Sequence, residues 1–148
     1  MILSKTCDYG LRAVLYVATC LDREYISIGE ISEKLNISFH FLTKILQKLT
    51  DKNLLISFRG PKGGVKLTRP AGTITLLEII QAIEGPDFFD KCLLGLEKCK
   101  DDNQCPLHQH WSPLRLQLKN LFQQNTLETM AEMLKTNQFR ITDLTVRF

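Results

Sequence analysis

Apolar side chains return every three or four residues between Ser4 and about Leu21, at Cys7, Leu11, Val14, Leu15 and Ala18. That spacing predicts a helix with one buried stripe, flanked by Asp8 and Arg12. A second helix opens at Ser27-Ile-Gly-Glu30, where hydroxyl and carboxylate can each satisfy an orphan backbone donor, and runs through Ile28, Ile31 and Leu35 to Asn36. Ser38 stands where it can cap a third helix reaching about Lys52. Phe41, Leu42, Ile45, Leu46 and Leu49 form its apolar side, and His40, Thr43, Lys44, Gln47 and Lys48 face outward.

Asn53 breaks this period, and the spacing shortens to that of strands at Leu54 to Arg59 and Val65 to Thr68, joined through Gly60-Pro-Lys-Gly-Gly64. Thr75-Leu-Leu-Glu78 repeats the capping signature and starts a fourth helix that Gly85-Pro86 stops. Asp87 to Cys105 shows no sustained period and reads as a loop. Pro106 suits a first helical position, and Leu107, Trp111, Leu114, Leu118, Leu121 and Phe122 keep helical spacing to about Gln124. Pro113 interrupts that helix, predicting either a kink near 109–112 or a restart capped by Ser112. Leu127 to Lys135 is a short last helix. The resulting class is mainly α with a small β-hairpin. The boundaries fall at 1–85 for a winged helix-turn-helix domain, 86–105 for a cysteine-bearing loop, 106–136 for a long helix plus the short one, and 137–148 for an unassigned tail.

Composition narrows the function. With 148 residues, 44% apolar and 24% charged, the chain is of ordinary globular make-up. Its longest uncharged apolar stretch, Ala13 to Leu21, is about half of the roughly 20 residues that cross a bilayer, so a cytoplasmic protein with no membrane partner is expected. Residues 40–70 carry seven Lys or Arg against one Asp or Glu, a footprint suited to phosphate backbones. Two short helices, a tight turn and a basic hairpin are the parts of a winged helix-turn-helix reading double-stranded DNA. The expected contacts are Ser38, His40, Phe41, Thr43, Lys44 and Lys48 from the third helix. Arg59, Gly60, Pro61 and Lys62 are expected from the wing, where glycine lets backbone approach phosphate or minor groove.

Ile31-Ser-Glu-Lys-Leu-Asn-Ile-Ser38, Phe41-Leu-Thr-Lys-Ile-Leu46 and Arg59-Gly-Pro-Lys-Gly-Gly64 together resemble the signature of the Rrf-type bacterial transcriptional regulators. Asp8-Tyr9-Gly-Leu-Arg12, Leu77-Glu78, Glu84-Gly85 and the later cysteines extend the resemblance over roughly residues 1–135. It implies a homodimeric winged-helix regulator, read here as a repressor, joined through the long helix after Cys105 and binding palindromic operators. Val65 departs from the aromatic residue common at that place.

Of five cysteines, Cys7, Cys20, Cys92, Cys99 and Cys105, the last three are separated by six and then five intervening residues. This is too open for the short knuckles of structural zinc, and soft thiolates suit an iron–sulfur cluster. Lys91, Lys98 and Lys100 would favour the thiolate form. Three thiolates leave a fourth position open. By the resemblance, His108 matches the histidine ligand of an iron–sulfur assembly repressor, and Asp8 matches a carboxylate ligand that a nitric-oxide sensor supplies from the partner subunit. Cys7, beside Asp8, is a third candidate. The first gap is one residue longer than the five of those regulators. The His108 match favours a two-iron over a four-iron cluster, with iron–sulfur status, redox state or nitric oxide as the signal. The alternatives are a thiol-redox or zinc-bound winged-helix regulator and, more remotely, a small metalloenzyme.

Overall fold

The computed structural model describes residues 2–97, 99 and 101–144. Its elements are α1 (Lys5–Thr19), α2 (Ile28–Leu35), α3 (Phe39–Asp51), β1 (Leu55–Phe58), β2 (Gly64–Leu67), α4 (Leu76–Glu84), α5 (His108–Gln124) and α6 (Leu127–Lys135), with 3-10 turns at Ala71–Thr73 and Phe88–Asp90. Among the described residues, no helix is long and apolar enough to cross a membrane. The winged-helix class expected from the sequence is the one observed.

The main core gathers Ala13, Val14 and Val17 of α1, Ile31 and Leu35 of α2, Leu42, Leu46 and Leu49 of α3, Ile79 of α4 and Leu127 and Ala131 of α6. Each fully buried Leu or Ile stabilises the fold by about 1.5–3 kcal/mol. The last helix is therefore grown into the head. Its start is tied there by backbone bonds from Leu127 N–H to the Ile74 carbonyl and from Leu76 N–H to the Asn125 carbonyl, both 2.9 Å.

Local chemistry sets the helix ends, with two departures from expectation. Thr75 and Glu78 form the reciprocal capping box. At α2 only half of one forms: the Ser27 hydroxyl accepts from Glu30 N–H at 3.1 Å. The Glu30 carboxylate is drawn away to the Tyr16 hydroxyl at 2.6 Å and the Arg23 guanidinium at 2.7 Å. Ser38 occupies the cap position of α3 without a side-chain capping bond. Asn36 ends α2 in the left-handed conformation, φ 52°, which turns the chain into α3.

The long helix begins at His108 rather than Pro106 and runs through Pro113 with no restart at Ser112. In the second turn a proline removes one backbone bond, to the carbonyl four residues back, and that residue, Gln109, is exposed to water.

The wing hairpin is antiparallel, pairing Leu55 with Leu67 and Phe58 with Gly64. A further rung joins it to the segment before α2: Ile26 and Val65 exchange both backbone bonds, at 3.0 and 2.9 Å. Gly64 permits this approach. Its φ is +154°, and a Cβ there would stand 2.0 Å from the Ile26 carbonyl oxygen.

A second apolar cluster joins Cys7 of α1, Leu77 and Ile80 of α4 and Phe89 of the cysteine loop, with Leu118 and Phe122 of α5 packed against it. Cys7 has no exposure. Burial pushes its thiol up to about 12, helped by the negative charges of Glu84 and Asp8.

Gly64→Ala should lower stability by about 1–3 kcal/mol in urea unfolding, since both the space and the backbone angle oppose a methyl group. In folded protein freed of metal by chelation and treated with iodoacetamide in mildly alkaline solution, Cys7 should stay unmodified while Cys99 and Cys105 react; peptide mass spectrometry checks this, and urea should expose Cys7.

Candidate nucleic-acid interface and cysteine loop

One end of the head forms a groove of about 420 Å³ between the start of α2, the outer face of α3 and the wing. Gly29, Phe39, Thr43, Gln47, Arg59 and Gly60 contribute to its walls. Residues 39, 43, 47 and 50 are neighbours along one side of a helix, which is why a single stripe of α3 meets the groove. The turn at the wing tip closes through a bond from Gly63 N–H to the Gly60 carbonyl at 3.0 Å. A Cβ on Gly63 would lie 2.2 Å from the Phe58 carbonyl oxygen, so this tight turn requires glycine. Arg59, Gly60, Pro61 and Lys62 are all exposed there.

The expected contact residues separate into groups. Ser38, His40 and Lys44 are exposed and Thr43 half-buried, on the outward side of α3. Lys48 is exposed but lines a different depression, with Lys52 and the end of α4. Phe41 turns inward, its ring edge-on to Tyr9 at 5.6 Å. The exposed aromatic of this helix is Phe39, which the sequence reading left out and whose position one residue past the cap was the available signal.

Three more residues escaped the sequence. Tyr25 packs on Phe58 at 5.4 Å with the Lys66 ammonium 4.9 Å from its ring centre, stiffening the wing. Arg12 donates to the Ile141 carbonyl at 2.5 Å and the Leu35 carbonyl at 3.1 Å. It thereby ties α1, the end of α2 and the segment following α6. No periodicity in the sequence announces such backbone partners.

The cysteine loop lies against α5. Phe89 meets Phe122 at 5.9 Å, and the Trp111 indole donates to the Lys91 carbonyl at 3.2 Å. The loop brings its candidate ligands together in two pairs. Cys92 and Cys105 have their sulfurs 3.6 Å apart, and Cys99 Sγ lies 3.1 Å from His108 Nδ1. Among the described residues, no group of three or more His, Cys, Asp or Glu is gathered for a single metal ion.

His108 is the one buried residue of α5, and its Nε2 meets Asp101 Oδ1 at 2.9 Å. A carboxylate on the far ring nitrogen is the usual means of orienting a ligating imidazole. The Cys92 thiol is held below its ordinary value, first by a backbone hydrogen bond at Leu94, then by Cys105, Leu96 and the positive charge of Arg115. Arg115 Nη1 is buried and has no hydrogen-bond partner among the described residues. Asp8 is half-buried on α1 and joins neither donor pair, and the buried Cys7 thiol is poorly suited to ligation. Lys98 and Lys100 lie outside the described residues.

Comparison with known proteins identifies the family and the fold. A family model described as Rrf2, iron-dependent transcriptional regulator, matches residues 3–133. A helix-turn-helix-type transcriptional regulator of Aquifex aeolicus is 30% identical over 143 residues, covering 95% of this chain and 99% of the relative. One of Haemophilus influenzae is 35% identical over 131 residues, covering 88% and 87%. The structure of CymR, the global cysteine regulator of B. subtilis, superposes with a TM-score of 0.76 at 26% identity, covering 88% of this chain and 96% of that one. The oxidized form of Staphylococcus aureus CymR gives 0.71 at 28%, covering 89% and 97%. T. potens IscR gives 0.73 at 21%, covering 93% and 91%, a likeness of fold. The metalloenzyme alternative therefore gives way to a regulator, and the chain belongs to the Rrf2 family of DNA-binding transcriptional regulators.

Proposed function

We propose that this protein is a cytoplasmic, homodimeric repressor of palindromic operators. Its DNA affinity responds to an iron–sulfur cluster held by Cys92, Cys99, Cys105 and His108. The observation that carries the cluster reading is the division of these donors into two pairs, Cys92 with Cys105 and Cys99 with His108. Two iron atoms with two protein ligands each call for that partition. The 3.6 Å between the paired sulfurs is close to the roughly 3.7 Å edge of a tetrahedron whose metal–sulfur bonds are about 2.3 Å. A bound two-iron cluster would supply a redox- and nitric-oxide-sensitive bond network across the loop. His108, positioned by Asp101, is its most exchangeable ligand, and Arg115 sets positive charge beside Cys92.

The chain's own residues transmit the change. Ligation of these donors would move the loop and with it Phe89, which shares a cluster with Cys7 of α1 and Leu77 and Ile80 of α4 and lies beside Phe122 of α5. The angle between α5 and the head follows. Leu107, Leu114 and Leu121 are 38%, 52% and 52% exposed and seven residues apart, an apolar seam suited to a second copy of α5. In such a dimer the angle of α5 sets the distance between the two α3 helices. A ligand that favours one spacing changes operator affinity by its differential affinity for the two conformations.

One observation favours a second reading. The same contact between Cys92 and Cys105 suits a thiol-redox switch without iron. Anaerobic purification followed by visible absorption and iron and sulfide assays separates the two. The cluster reading expects a coloured protein that loses its absorption in Cys99→Ala, shifts it in His108→Ala and keeps it in Asp8→Ala. Colourless protein, or zinc in equal amount, removes it. Arg59→Ala should weaken operator binding by about 1–3 kcal/mol in a mobility-shift titration and lower its salt dependence.

A further inference from the structure

The tip of α3 carries a residue that no phosphate contact explains. Phe39 is the first residue of the helix and remains 49% exposed. Its ring is set edge-on against His40, 5.9 Å away and at 83°, so the side chain is steadied rather than free. The polar neighbours on the same stripe are turned to their own helix. The Thr43 hydroxyl donates to the Phe39 carbonyl at 2.8 Å, and the Gln47 amide donates to Asp51 at 2.8 Å. Phe39 therefore projects an apolar edge into the groove shared with Arg59 and Gly60 of the wing.

We propose that Phe39 is a specificity-determining residue that reads the 5-methyl group of a thymine in each operator half-site. The proposal rests on α3 lying in the major groove, as the winged-helix reading requires. In that groove the thymine methyl is the apolar group that a base pair displays, and the first residues of a recognition helix are those that reach base edges. A ring placed there removes the methyl from water and gains its own burial, whereas any other base meets it with a polar edge. Because Phe39 stands on the wing side of α3, the thymine lies between the centre of the half-site and the place where Arg59 meets the DNA.

The test uses the full-length protein and duplexes that it enriches from a randomised pool. Each thymine of an enriched duplex is replaced in turn by deoxyuridine, which removes the methyl and leaves every hydrogen-bonding group. One position per half-site should weaken binding by about fourfold, the value of one buried carbon. Phe39→Ala should bind thymine and uracil duplexes equally, and Phe39→Leu should retain part of the difference. As Phe39 is outside the core, circular dichroism of both variants should match the parent. An enriched duplex with no uracil-sensitive position overturns the proposal, as does a uracil penalty that persists undiminished in Phe39→Ala. A pool that yields no enriched sequence overturns base reading by α3 itself, and this proposal with it.

Discussion

The placement of Phe89 is the contact on which the arrangement turns. One aromatic ring is buried where α1, α4, α5 and the cysteine loop converge, in one cluster with Cys7, Leu77 and Ile80 and beside Phe122. Interiors of this kind are close-packed, so a displaced ring obliges its neighbours to move rather than compress. The loop is further tied to α5 through the Trp111 indole on the Lys91 carbonyl and through His108, which meets Cys99 and Asp101. Phe89 and His108 are thus the two side chains that couple this loop to the helices.

The head owes its shape to economy of backbone rather than to a large sheet. Two four-residue strands would be marginal alone, and the wing gains support from Ile26 across Val65 and from Tyr25 against Phe58. Both supporting residues belong to the few that connect α1 and α2. The wing is consequently fixed to the same frame as α3, and Arg59 holds a set position relative to the α3 tip.

Much of this was legible in the sequence because it rests on local rules. Thr75 with Glu78, Asn36, the glycines of the wing and the bounds of α6 each follow from hydrogen-bond geometry within a few residues. The departures arise where distant partners compete. Glu30 abandons its own helix cap because Tyr16 and Arg23 offer charge-assisted bonds, and α5 starts late because Pro106 and Leu107 form a turn that brings His108 beneath the loop. The candidate donors Cys92, Cys99, Cys105 and His108 could be picked out in the sequence. Their pairing, and the supporting Asp101 and Arg115, depend on how the loop folds back, which periodicity does not encode.

Arg12 has a consequence for how the chain tolerates cleavage. Its guanidinium joins the Leu35 carbonyl, at the turn into α3, to the Ile141 carbonyl beyond the last helix. A protease clipping the chain after α6 would strip one acceptor from a half-buried cation and leave the turn held from one side. Loss of a few residues distant in sequence from the groove would in this way loosen the seat of α3.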